Sequence, residues 1–210
     1  MSLVANRASA ALRLLAQDPV ELGLRVGAKL RPQWAWQRYA RHCRHQGLAR
    51  SAVVLSLDCD THKDIVVARE VHDRLGSIGF CPVYAVPGEL LRAGADTYAS
   101  IAGTGATFMN HGYVEHTRLE EASNAYVSTV FYDRMDPGAV RDDVWRGHAV
   151  VSEVIGRPPV GFRTPHFGSY ARPAQLAILY ELLSGLGYRF SSSTPPINAL
   201  RHGPARAHGP

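Results

Sequence analysis

SAVVLSLDCD, residues 51–60, decides how this chain reads. Ser51 to Leu57 is a short apolar run rich in Val and Leu, too short for a core helix and suited to a buried strand. It ends in Asp58-Cys59-Asp60. Side chains at i and i+2 share one face of an extended chain. Two carboxylates so placed repel unless a cation or proton sits between them. A divalent metal relieves that repulsion, and one Asp can bind it while the other stays free as a base. The same letters also fit two ordinary strand-end aspartates.

Beyond this stretch the pattern alternates. Lys63 to Leu75 reads as a helix with apolar Ile65, Val66, Ala68 and Leu75, closed near Gly76 and Gly79. Cys81 to Val86 is a second strand, stopped by Pro87-Gly88, and Glu89 to Ile101 a second helix. Ala106 to Asn110 is a third strand. Residues 117–156 read as mostly helical, broken near Asp136-Pro137-Gly138. Val160 to Arg163 is a fourth strand, Pro173 to Leu186 a helix, and Tyr188 to Ser191 a fifth strand. Strand–helix alternation implies parallel strands with right-handed crossovers, as in an open α/β sheet or a (β/α) barrel. Asp58, Asp60, His111 and Arg163 all follow or end a strand, which favours the barrel, where strand C-terminal ends carry the chemistry.

Upstream lies a different composition. The chain carries a net charge of +5, and residues 1–50 hold nine of its Arg and Lys but only two Asp or Glu. Residues 3–30 recur in apolar character at helical spacing, Pro32 ends or kinks that stretch, and a basic helix with Trp34, Trp36 and Tyr39 runs to about Gly47. Residues 1–50 therefore read as a basic helical appendage, 51–194 as the chemical domain, and 195–210, with its Pro and Gly, as a tail. A basic leader suits an acidic polymer, a membrane surface or a solvated helix face. With 46% hydrophobic and 20% charged residues, disorder across the whole chain is excluded. Cys43, Cys59 and Cys81 form no CxxC and no even framework, which fits a reducing compartment. No apolar run is long enough to span a bilayer, and Ala8 to Ala16, interrupted by Arg13, lacks a signal-peptide pattern. A cytoplasmic location is the expectation. There is no phosphate-cradling glycine loop and no nucleic-acid-binding module.

Two more segments carry chemistry. Asn110-His111-Gly112-Tyr113-Val114-Glu115-His116 places one imidazole directly after a strand and another shortly beyond. With Asp60 these histidines make an Asp/His/His set that leaves coordination positions open for water, as a catalytic zinc site requires. A turn with two exposed histidines has the same letters. Gly161-Phe162-Arg163-Thr164-Pro165-His166-Phe167-Gly168 sets an Arg beside a rigid turn. Arg can clamp a carboxylate, and the turn can aim backbone N–H groups at a developing oxyanion. An ordinary loop with a surface Arg is the plain alternative.

Taken in order, the three segments resemble the polysaccharide deacetylases of the NodB-homology type, over residues 51–194. Asp58 and Asp60 match the first motif, Asn110-His111-Gly112-Tyr113 the His-rich second, and Arg163-Thr164-Pro165-His166-Phe167-Gly168 the third. Gly187-Tyr188-Arg189-Phe190-Ser191-Ser192-Ser193 adds to the likeness. The resemblance implies a distorted (β/α) barrel that hydrolyses N- or O-acetyl groups on an acetylated oligo- or polysaccharide. Asp58 would be the general base. Asp60, His111 and a further group would hold a divalent metal, zinc by preference. Arg163 would orient Asp58, and the backbone N–H near His166 would assist the oxyanion.

The chain departs from the pattern twice. The second imidazole ligand is expected four residues after the first, where Glu115 stands. Either His116 binds from a loop longer by one residue, the favoured reading, or Glu115 supplies an oxygen. The later motifs, ending in a Leu-x-His whose imidazole protonates the leaving amine, are missing. Leu200-Arg201-His202 has the letters without a strand, so the barrel is expected to be incomplete at its C-terminal side. A non-catalytic carbohydrate-binding or assembly protein, or a hydrolase of small non-sugar amides, fits the same scaffold. His42, Cys43 and His45 lack a fourth zinc ligand. His62, His72 and His148 read as surface residues, and Trp34 and Trp36 as packing rather than sugar platforms.

Overall fold

The computed structural model describes residues 12, 15–16, 18–45, 47–48, 54–167 and 170–193. They divide into two compact units, the leading helices and the body that runs from residue 54 to 193. In the first unit, α1 (Pro19–Leu30) starts with Pro19 after the N-cap Asp18, whose side chain accepts from Glu21 N at 2.9 Å. Pro32 breaks the helical run by opening α2 (Pro32–His45) at its first position. Neither helix has a buried residue.

The body is built on five parallel strands in the order β1 (Ser56–Asp58), β2 (Val83–Val86), β3 (Thr107–Asn110), β6 (Gly161–Phe162) and β7 (Phe190–Ser191). Between them run α3 (His62–Ser77), α4 (Gly88–Ala93), α5 (Ala95–Ala102), α6 (Pro137–Ile155) and α7 (Pro173–Gly185). A separate antiparallel hairpin joins β4 (Thr117–Glu120) to β5 (Ala125–Ser128). The α/β expectation therefore holds. Among the described residues the parallel sheet is open, and no closed barrel forms. Leu200 to His202, and the tail beyond residue 193, lie outside the described residues.

Three readings of the sequence need correction. The helix expected over 89–101 is two helices, broken at Gly94. A Cβ there would lie 2.6 Å from Ile65 Cγ2, so the close approach of α3 leaves no room for a side chain. The helical reading of residues 117–128 gives way to the hairpin. Thr117, Tyr126 and Val127 favour an extended chain, and Asn124 turns it with φ 47°. His72 is buried rather than exposed, with Nδ1 3.1 Å from Tyr84 Oη and Nε2 2.9 Å from Thr104 Oγ1.

Helix α6 is the longest element and braces the whole body. Asp136 caps its start by accepting from Gly138 N at 2.7 Å, and Gly156 ends it in the left-handed region at φ 74°. Its Val150 and Val151 enter one apolar core with Tyr84, Leu90, Tyr98 and Phe108. Its Val140 and Val144 enter a second core with Tyr132, Phe162, Leu179 and Leu183. Gly147 lets the helix backbone touch the segment after β3. An added Cβ would sit 2.3 Å from Asn110 Oδ1 and 2.6 Å from Gly112 O. Neither neighbour is a flexible chain end, because Asn110 is itself held by three hydrogen bonds. Gly147→Ala is therefore expected to destabilise the body by about 1–3 kcal/mol, read as a lowered denaturant midpoint at unchanged slope.

Candidate metal centre

The segments singled out in the sequence converge at the C-terminal ends of β1, β3 and β6. Asp58 ends β1 and Asp60 follows two residues on, while His111 leaves β3 directly. His116 returns to the same place just before β4. Asp60, His111 and His116 offer ligand atoms that all lie within 4.8 Å of one another, the only such group of three among the described residues. Asp60 Oδ1 is 3.4 Å from His111 Nε2 and 3.2 Å from His116 Nε2. The two imidazoles meet edge to face, 4.6 Å between centroids.

Two features fit this group to a cation. The first is the fixed tautomer of His111. Its Nδ1 lies 2.8 Å from the carbonyl oxygen of Arg163, which can only accept, so Nδ1 carries the proton and Nε2 presents a lone pair to the cluster. The second is the state of the remaining atoms. Asp60 Oδ1 and both ring nitrogens of His116 are buried without a hydrogen-bond partner, since the short contacts between them lack hydrogen-bond geometry. A buried polar atom left unpaired costs about 1–3 kcal/mol, so their convergence on one point calls for a shared partner. Burial is the largest influence on the Asp60 carboxyl and would raise its pKa. The imidazoles of His111 and His116 beside it outweigh burial and hold the group well below the usual carboxylate range.

Asp58 is not one of the three clustered side chains. Asp58 turns instead to Arg163 and is paired with its Nη1. Nor is Arg163 a surface residue, being 5% exposed. Its Nη2 donates to Ser56 Oγ at 2.7 Å and to Ser192 Oγ at 3.0 Å, and its guanidinium lies 4.9 Å from the Phe167 ring centroid. His166 stands at φ 58°, a left-handed conformation unusual for a side-chain-bearing residue. Its ring lies 5.2 Å from that of His116 and its Nδ1 3.4 Å from Ser128 Oγ, while its Nε2 is buried and unpartnered. Burial, then the charge of His116, lowers its pKa. Glu115 is turned away, with its carboxylate 4.0 Å from His62 and its N–H donated to Glu89 Oε2. His42, Cys43 and His45 lie on α2 in the other unit, and His148 is half-buried with Nδ1 3.1 Å from Tyr188 Oη.

Sequence reasoning missed the residues that shape the loop between the two histidines. Asp143, on α6 and 4% exposed, accepts from Val114 N at 2.9 Å and from Tyr132 Oη at 2.5 Å. Asn110 accepts from Gly112 N at 3.0 Å and donates to Val144 O and Tyr188 Oη. Gly112 turns at φ 79°, and a Cβ on it would strike Asp143 Oδ2 at 2.4 Å. The clue was an Asp on the apolar face of α6, next to Val144 and four residues before Gly147.

No protein-family model and no curated protein sequence matches the chain. Among solved structures it is similar to a CE4 family pseudoenzyme from Bacillus anthracis, at 10% identity and TM-score 0.51, over 68% of this chain and 43% of that one. It is also similar to a mutant of a CE4 family pseudoenzyme with restored enzymatic activity, at 12% identity and TM-score 0.51, over 68% and 44%. The fold is thus that of the CE4, NodB-type deacetylases, and the chain spans less than half the length of these neighbours.

Between the two aspartates sits Cys59, 5% exposed, with its thiol pKa pushed up to about 12 by burial and then by nearby Asp64. The thiolate is the reactive form, so Cys59 should resist alkylation near neutral pH while exposed Cys81 reacts freely. Mass spectrometry of iodoacetamide-treated protein should find Cys59 modified only after unfolding. Native-state labelling of Cys59 at the rate of Cys81 would show that the segment between the aspartates is open.

Proposed function

We propose that the protein is a metal-dependent hydrolase that removes N- or O-acetyl groups from a carbohydrate. The observation that carries this reading is the convergence of partnerless buried atoms from Asp60 and His116 beside the Asp58–Arg163 pair. Asp60, His111 and His116 would hold a divalent ion, zinc by the preference of imidazole-rich sites. Such an ion, when bound, supplies Lewis-acid polarisation of the acetyl carbonyl and lowers the pKa of water. Asp58 is the general base that takes the proton from the attacking water. Arg163 orients Asp58 through the ion pair and is itself held by Ser56 and Ser192. The backbone N–H in the turn at His166 assists the oxyanion.

The test is release of acetate from acetylated saccharides by metal-loaded protein. About one ion per chain is expected, and Asp60→Ala should abolish it while leaving the fold intact by circular dichroism. Asp58→Asn should keep the ion and lower kcat by about 10²–10⁴, the range for loss of a general base.

A second reading is a non-catalytic carbohydrate-binding or assembly protein. Its support is that the similar structures include one described as a pseudoenzyme. Against it, a pure binder has no use for a carboxylate held by a buried Arg beside a ligand cluster. Retained saccharide binding in both wild type and Asp58→Asn, with no acetate from either, would decide for the binder.

A further inference from the structure

Helices α1 and α2 expose several large apolar side chains. Leu30 is 74% exposed and Trp36 71%, with Val20, Val26 and Trp34 also exposed. These are the residue types that globular proteins bury, and a solvated helix face does not account for them. Leu30 and Trp34 flank the turn at Arg31, where with Pro32, Gln33 and Gln37 they line an open cleft of about 540 Å³. Trp34 does part of the packing, since its ring lies where a Cβ on Gly27 would come within 3.2 Å. Trp36 meets Tyr39 in a T-shaped arrangement, 6.4 Å between ring centroids.

Charge distinguishes the occupants this surface could take. Over residues 18–45 there are six Arg or Lys and two Asp or Glu. Glu21 is already matched by Arg25 within α1. Lys29, Arg31, Arg41 and Arg44 are exposed, and α2 has no acidic residue at all. On α2 the turn positions of Trp36, Tyr39, Ala40 and Cys43 fall on one side of the helix, and those of Arg38, Arg41 and His45 on the other, together with Trp34, whose ring packs back on Gly27 of α1. A second copy of the chain would bring the same positive charge against itself. Basic residues flanking exposed Trp and Leu on an amphipathic helix match the interface of an anionic lipid bilayer. There Trp sits at headgroup depth, and each Lys or Arg gains from the negative surface potential.

We propose that the α1–α2 hairpin is a peripheral membrane-binding element. It would lay its turn, with Leu30 and Trp36, into the headgroup region of an anionic bilayer. Nothing in this depends on the hydrolase reading of the body.

The test uses the full chain with Trp145→Phe, which leaves Trp34 and Trp36 as the fluorophores. It is mixed with vesicles of phosphatidylcholine alone or with an equal share of phosphatidylglycerol. Co-sedimentation with the anionic vesicles, a blue shift of tryptophan emission, and weakening of both by added salt are expected. In the same background Arg41→Glu/Arg44→Glu should weaken partitioning about ten-fold or more. Leu30→Ser/Trp36→Ser, at positions whose exposure spares the fold, should abolish sedimentation. Acetate release or metal content of the body should be unchanged in both. Absence of binding to anionic vesicles, or equal binding to neutral ones, overturns the proposal. So does a concentration-dependent dimer abolished by Leu30→Ser/Trp36→Ser, which would make a second copy the occupant.

Discussion

The site depends on one residue that faces two ways. The backbone of Arg163 belongs to the sheet, where its N–H donates to Asn110 O at 3.0 Å, and its carbonyl fixes the tautomer of His111. Its side chain runs back to Asp58 and is locked by Ser56 and Ser192. The unprotonated nitrogen of His111 on one side and the Asp58 carboxylate on the other are therefore set by the same few atoms. A lysine could offer the charge, but its single ammonium lacks the planar fork that reaches Asp58, Ser56 and Ser192 together. The buried guanidinium is tolerable because its charge meets a carboxylate and its Nη2 hydrogens meet hydroxyls.

The histidine loop is held as firmly by a different set of groups. Between His111 and His116 the chain must reverse without a regular element. Its backbone is satisfied from two sides. Gly112 and Tyr113 give their carbonyls to Gly88 N and Glu89 N at 2.9 Å each, at the start of α4. Val114 N goes to Asp143 on α6. The helix start offers N–H groups that have no intrahelical acceptor, so the loop's carbonyls complete the helix as much as the helix orders the loop. Buried Asp143 accepts from a hydroxyl and an amide and pairs with no cation among the described residues, and Tyr132 has its own pKa raised well above the usual tyrosine value by burial and by Asp143 beside it.

Legibility from the sequence followed the range of the interactions involved. The five parallel strands were readable because apolar runs bounded by Gly and Pro mark strand ends locally. Asp58, Asp60, His111, His116 and Arg163 were readable because strand ends are where an α/β scaffold puts polar groups to use. The hairpin at 117–128 was not, because four-residue strands with Arg118 and Glu120 between apolar positions offer no stable period. Asp143 and His72 were hidden for a shared reason. Each is a polar residue on a helix whose partners lie 11 to 32 residues away in sequence, and spacing carries no trace of such pairings. The pairing of Asp58 with Arg163 spans 105 residues, and what exposed it was the family pattern rather than periodicity.

The geometry also explains why an open sheet can hold this group of residues. The cluster draws its three side chains from the segments after β1 and β3, which are not neighbours. β2 lies between them, pairing Asp58 with Ala85 on one side and Asn110 with Val86 on the other. After β2 the chain passes through Pro87 and turns at once into α4 at Gly88. A Cβ on Gly88 would come within 2.8 Å of the Tyr113 ring, so the glycine lets the loop after β3 pack closely over the end of β2. Asp60 and the two histidines then meet across the top of β2, and β6 supplies Arg163 from beyond. Each of these contacts is made within β1, β2, β3, β6 and the serines after β7. The arrangement is thus a property of adjacent strand ends and of the helices that cross behind them, and closure into a barrel is not what brings these groups together.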